Sequence, residues 1–182
     1  MTDYRERVQA DRGLIKNIQL IIPGYRGYRK KEDLRIADRL LREELANRFS
    51  SVIADLEGAK KTIIKKNELR LIEDAGELVS RAGTAKEKLL HAEQGYSGIS
   101  ADYRILEPQL NQMYEWDLGL LDLIDQLGRT ASNLREKART GNESEMASEL
   151  ERGLEEFENY ELLFDRRREF ITGLALTREV PV

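Results

Sequence analysis

One histidine and no cysteine leave this chain little metal or thiol chemistry to offer. Glu87 and His91 stand four residues apart, one helical turn, but two ligands do not close a transition-metal site. A di-iron centre inside a helical bundle needs two Glu-x-x-His pairs, hence at least two histidines. His91 therefore reads as a partly exposed residue beside a helix seam, and no metal or other cofactor is expected. Asp117 is different, because it occupies a seam position in an otherwise apolar stripe. A buried carboxylate without a partner costs several kcal/mol, so Asp117 must find a donor or water. Glu161 and Arg168, on the expected stripe of the last helix, complete a candidate buried polar set with it. Such a set fixes the register of packed helices; a carboxylate working in a cavity is the competing reading. Nucleophile and phosphate motifs fail on spacing. Gly95-Tyr96-Ser97-Gly98-Ile99 lacks the second glycine of a nucleophile elbow, and Gly24-Tyr25-Arg26-Gly27 is neither a Walker loop nor a dinucleotide fingerprint. Asp122/Asp125 and Glu155/Glu156 fall on solvent faces of their helices.

The segment richest in chemistry is Ile22-Pro23-Gly24-Tyr25-Arg26-Gly27-Tyr28-Arg29-Lys30-Lys31. Its cations can meet phosphates while its tyrosines stack on bases or settle at a lipid interface. Tyr25, Arg26, Tyr28, Arg29, Lys30 and Lys31 are accordingly the candidate binding residues. The plainer reading is an interhelix turn in which one tyrosine packs inward and the other stays exposed. Glu32, Asp33 and Asp38 dilute the charge. A second basic cluster, Lys60-Lys61 with Lys65-Lys66, follows on the next helix.

Ile22-Pro23-Gly24-Tyr25-Arg26-Gly27-Tyr28 opening a charged helix, then Gly95-Tyr96-Ser97-Gly98, then Leu106-Glu107 onward to Asp117, resembles a family of uncharacterised prokaryotic all-helical proteins. The resemblance spans roughly residues 22–125. It implies a prokaryotic, cytoplasmic, all-helical protein and carries over no functional residue.

Helical spacing dominates the elements that must position these groups. A short amphipathic helix is expected over 3–19, with Tyr4, Val8, Leu14, Ile15 and Ile18 toward one side, ending before Pro23. From Arg29 to Glu93 the pattern is helical almost throughout. Leu45, Phe49, Val52, Leu56, Ala59 and Ile63 form one seam; Leu71, Ala75, Leu78, Ala82, Ala85, Leu89 and Ala92 form another. The interval from Ile63 to Leu71 is one residue longer than a heptad. It leaves open one continuous helix or a break near Gly58 or Lys65-Lys66-Asn67. After a turn at 94–98, a helix opens near Glu107-Pro108 and carries Leu110, Met113, Asp117, Leu120, Ile124, Leu127, Ala131, Leu134 and Ala138. Thr140-Gly141 ends it, and Asn142 with Glu145 reads as a capping box for the last helix. The expected stripe of that helix is Ala147, Leu150, Leu154, Phe157, Glu161, Phe164, Arg168 and Ile171, up to Thr172-Gly173.

The fold expected is all-α, an elongated antiparallel helical bundle with coiled-coil-like packing. Segments 59–93, 107–140 and 143–172 match at about 45–50 Å. The organisation expected is an N-terminal helix and turn over 1–28, the bundle over 29–173 and a tail over 174–182. Segment 29–57 either projects with an exposed Leu45/Phe49/Val52/Leu56 stripe or folds back under residues 3–19. The charge is split: residues 1–66 hold 16 Lys/Arg against 10 Asp/Glu, and 67–182 hold 14 against 24. With no cysteine, no signal-peptide core and no apolar run near membrane-spanning length, a cytoplasmic protein is expected. Continuous seams without a catalytic constellation point to a non-enzymatic adaptor or scaffold acting through helix–helix interactions, with a protein partner, a second copy of the chain among the candidates. The alternative is a module binding an anionic surface, nucleic acid or acidic lipid, through the basic N-terminal third.

Overall fold

The computed structural model describes residues 4–25, 31–91 and 107–176. The protein is an all-α helical bundle. Its helices are α1 (Tyr4–Ile21), α2 (Lys31–Lys66), α3 (Leu69–His91), α4 (Glu107–Thr140) and α5 (Glu143–Leu176). Among the described residues there is no strand. Packing contacts join α2 to α4, α2 to α3 and α4 to α5. The chain forms two compact units, one of Leu45–His91 with Leu121–Leu162, the other of Met1–Glu44, Ala92–Leu120 and Leu163–Val182. The N-terminal helix and the turn after it share a unit with the first part of α2.

In the first of these units the α2 seam from Leu45 to Ile63 is buried at every position, as is the α3 seam from Leu71 to Leu89. Phe49 packs edge-on against Tyr160 at 5.0 Å between ring centres and tilted against Phe157 at 5.9 Å. The Leu45/Phe49/Val52/Leu56 stripe is therefore buried, with Phe49 against the α5 aromatics of this unit. The argument that an exposed stripe needs a second copy of the chain to bury it falls with that observation.

The long basic helix is two helices. Asn67 takes a left-handed backbone, φ 62°, after Lys66. Its N–H donates to the Ile64 carbonyl at 3.0 Å and the Glu68 N–H to the Ile63 carbonyl at 3.3 Å. That pair of bonds is a Schellman termination, and asparagine is the side chain after glycine best suited to its left-handed position. The extra residue between Ile63 and Leu71 is the one spent on this turn. Gly58, the other place where a break was expected, lies inside α2.

The α4–α5 connection follows the capping-box reading. The Glu145 N–H donates to Asn142 Oδ1 at 3.0 Å, and the Asn142 N–H donates to Glu145 Oε2 at 3.1 Å. The bond from the Asn142 backbone, then Lys137 at 3.1 Å, holds the Glu145 carboxyl below its ordinary value of 4.5. A lowered value means that the charged form is favoured by folding. Its contribution is fully present above the unfolded value and is lost as pH falls through the lowered one. Thermal melts of Glu145→Gln and the parent are therefore expected to differ above about pH 4.5 and to converge in acid. Asn142→Ala, which removes the reciprocal acceptor, is expected to cost about 1 kcal/mol at neutral pH.

In the other unit α1 ends in a turn that Pro23 and Gly24 shape. The Tyr25 N–H donates to the Ile22 carbonyl at 3.2 Å, and Gly24 has φ 87°. Pro before a positive-φ glycine is the arrangement of a type II turn. The core here comprises Ile18, Ile22, Tyr25, Ala37, Leu41, Met113, Tyr114, Leu120 and Ile171. Trp116 stacks edge-on against Phe170 at 4.9 Å. α5 runs on to Leu176, past the end expected at Thr172-Gly173, because neither residue terminates it.

The α5 stripe is corrected in phase. Met146, Leu150, Gly153, Phe157, Tyr160, Arg167 and Ile171 are buried, where Ala147, Leu154, Glu161 and Arg168 were expected inward alongside shared anchors. Both series have heptad spacing and share Leu150, Phe157 and Ile171. Gly153 is inside because α3 comes close there: a Cβ on it would lie 3.0 Å from Leu78 Cδ1.

Candidate functional site

Two arrangements of polar side chains stand out, one in each unit. The first is buried and joins the turn after α1 to α2, α4 and α5 around Asp117. Asp117 is wholly inaccessible and Arg167 only 4 % exposed. Arg167 Nε donates to Asp117 Oδ1 at 2.6 Å, and its Nη1 donates to Asp38 Oδ1 at 2.9 Å. The Tyr25 hydroxyl donates to Asp117 Oδ2 at 2.7 Å. Arg42 lies 2.8 Å from the second Asp38 oxygen, one helical turn along α2. Among the described residues two carboxylates thus face two guanidiniums. Tyr25 is held further by Gln19, whose side-chain amide donates to the Tyr25 carbonyl at 2.9 Å, and by an edge contact with Tyr114 at 6.5 Å.

This network decides several residues singled out from the sequence. Asp117 is the buried seam carboxylate expected, but its cation is Arg167, not Arg168. Arg168 points to solvent and pairs with Asp165 at 3.0 Å. Glu161 is also off the core face, accepting from Arg81 Nη2 at 2.6 Å. Both corrections follow from the phase of α5: Arg167 and Tyr160 take the inward positions that had been given to their next neighbours. Tyr25, a candidate binding residue, is 1 % exposed and acts as a fixed donor to Asp117. Tyr25 packs inward. Arg26, Tyr28, Arg29 and Lys30 lie outside the described residues, and Lys31 opens α2. With both Asp117 oxygens receiving protein donors, its geometry is that of a packing lock. His91, as expected, is an exposed residue, paired with Glu87 at 3.0 Å.

The second arrangement is on the surface, where α2 ends and α3 begins. Glu57, Lys60, Lys61, Ile64 and Lys65 follow helical spacing along one face of α2 and, with Val79 of α3, line a groove of about 420 Å³. Ile64 is 50 % exposed although Ile63 beside it is fully buried, since adjacent helical residues diverge by about 100°. Leu69, the first residue of α3, is 70 % exposed. In sequence these two aliphatic residues are interspersed with Lys60, Lys61, Lys65, Lys66 and Arg70, against the single acid Glu68 within 60–70. Lys61, Lys65, Lys66 and Arg70 are exposed. Lys66 also reaches the α4–α5 connection, where its amine donates to the Gly141 carbonyl at 3.1 Å. α2 ends here, so its negative dipole end adds to the preference for cations in its last turn.

The lysine pairs were legible in the sequence; the exposed aliphatics among them were not. Two consecutive isoleucines give one seam residue and one left over, and the seam register identifies Ile64 as the latter. Leu69 lies just outside the α3 seam, two residues before Leu71. Among the described residues, no group of three or more His, Cys, Asp or Glu side chains is disposed to hold a metal ion. None of the described helices is long and apolar enough to cross a membrane. Comparison of the chain with protein-family models, curated proteins and solved structures finds no match.

Proposed function

We propose that this protein is a non-enzymatic helical binding module whose recognition surface is the basic corner where α2 meets α3, and whose partner is anionic. The observation that carries this reading is five cations within residues 60–70, interspersed with two exposed aliphatic residues, on a chain whose net charge is −4. A patch of one sign on a protein of the opposite overall charge is a local recognition feature rather than a by-product of composition. The adaptor reading from helix seams alone has lost one support, because the α2 stripe is satisfied within its own unit. The basic N-terminal third remains part of the proposal through its last turn, Lys60 to Lys66, rather than through Tyr25.

The test is retention on immobilised heparin as salt is raised. Lys60, Lys61, Lys65 and Lys66 replaced together by Gln are expected to weaken binding by roughly 500-fold or more, from roughly 1 kcal/mol per cation near an anionic surface. The helical circular dichroism should be unchanged. Replacing Arg26, Arg29, Lys30 and Lys31 by Gln should have the smaller effect. If the corner variant elutes with the parent protein, the assignment of the surface is wrong.

A further inference from the structure

We infer that the corner between α2 and α3 docks on an anionic lipid bilayer, its cations meeting headgroup phosphates and carboxylates while Ile64 and Leu69 enter the boundary between headgroups and acyl chains. The inference rests on the anionic-partner reading above and narrows it to one partner. Charge complementarity alone would suit any polyanion. The two aliphatic side chains make the difference. Ile64 and Leu69, 50 % and 70 % exposed, sit five residues apart across the Schellman turn that joins α2 to α3. A nucleic acid offers phosphates to lysines and ring faces to aromatic residues, but residues 57–70 contain no aromatic side chain. Against a nucleic acid, Ile64 and Leu69 would lose water without gaining an apolar counterpart. A bilayer surface supplies both layers in the right order: anionic groups outside, hydrocarbon just beneath.

The arrangement of acids limits the docking face. Glu57 lies at the groove end one turn before Lys60, and Glu73 and Asp74 follow one turn after Arg70. Glu145, near the Gly141 connection that Lys66 touches, is engaged by Lys137 and the Asn142 backbone. The cationic stretch is thus bracketed by acids, which favours docking by the corner over lying flat along α2. Weak peripheral attachment is what this combination provides. Each cation strengthens association about fivefold, and the aliphatic pair adds apolar burial that salt does not screen.

Co-sedimentation of the full chain with vesicles of phosphatidylcholine alone, and with phosphatidylserine added, tests this beside heparin retention and a duplex DNA shift. Binding is expected to the phosphatidylserine vesicles and not to phosphatidylcholine alone. Ile64→Ser with Leu69→Ser, both on exposed positions, is expected to cut vesicle binding at least tenfold while leaving heparin retention and the melting temperature unchanged. Lys61, Lys65 and Lys66 replaced by Gln should weaken both by about 100-fold. Retention on heparin with no vesicle binding overturns the lipid assignment and leaves the anionic-partner reading standing; a DNA shift in that case identifies the polyanion. Vesicle binding that survives the Ile64/Leu69 double variant overturns the insertion. A parent chain that binds neither heparin nor vesicles overturns the broader reading as well.

Discussion

Arg167→Met is expected to destabilise the protein by about 3–5 kcal/mol, far more than any exposed cation variant. The substitution is close in length and apolar, so the space it leaves is small; what it removes is the cation that two buried carboxylates share. Arg167 Nε serves Asp117 at 2.6 Å and Nη1 serves Asp38 at 2.9 Å, both within the core of the unit that contains them. Asp38 keeps Arg42, and Asp117 keeps the Tyr25 hydroxyl. An inaccessible carboxylate that loses a guanidinium donor at 2.6 Å bears most of the cost. The double variant Arg167→Met with Asp117→Asn should recover part of the loss, because the amide removes the charge that Arg167 had balanced and can still accept from Tyr25. A coupling energy of about 1–3 kcal/mol between the two substitutions is expected. Urea unfolding followed by circular dichroism measures it, and Trp116, the single tryptophan, reports locally since it stacks on Phe170 in the same unit. By contrast, Arg168→Met removes an exposed pair with Asp165 and should change stability by less than about 1 kcal/mol. Equal effects at 167 and 168 would sink the assigned phase of α5.

That contrast also shows where the sequence could be read and where it could not. The α2, α3 and α4 seams were legible because hydrophobic residues recur at one register with no rival. On α5 two registers share Leu150, Phe157 and Ile171 and differ by one residue between those anchors. Hydropathy favours Leu154 over Gly153, yet glycine is inside because α3 approaches closely there. Further along, three consecutive arginines, 166 to 168, offer hydropathy nothing to choose between. The better signal was Tyr160 against Glu161: putting the aromatic inward fixes the phase, and the same spacing then delivers Arg167. The break at Asn67 was half legible, from the lengthened interval, but a left-handed asparagine closing a helix leaves no hydropathy trace. Tyr25 was singled out as an aromatic among cations, which is the right residue with the wrong role. Its burial follows from Asp117 some ninety residues away, a contact no local pattern encodes.

Phe157→Ala is expected to cost about 3–5 kcal/mol as well, for an unrelated reason. Phe157 is fully buried and its ring meets three kinds of neighbour: Phe49 at 5.9 Å, Tyr160 at 6.0 Å and the Arg81 guanidinium at 4.9 Å over its face. Truncation to a methyl removes the transfer energy of the ring and leaves a cavity that helices cannot close without moving Phe49 and Tyr160. It also strips Arg81 of its aromatic floor, a cation–π contact worth about 0.5–1 kcal/mol at a partly exposed position. Arg81 remains anchored by Glu161 at 2.6 Å, so its charge is not stranded and the cavity dominates the loss. Phe157→Leu keeps most of the volume and should cost markedly less, near 1–1.5 kcal/mol, while losing the edge and face contacts specific to the ring. The two variants together separate volume from aromaticity. If Phe157→Leu were as damaging as Phe157→Ala in urea unfolding, ring geometry rather than space-filling would set the stability of this core. If Phe157→Ala cost less than about 1 kcal/mol, the aromatic cluster of Phe49, Phe157 and Tyr160 would not be the core that the buried seams build around it.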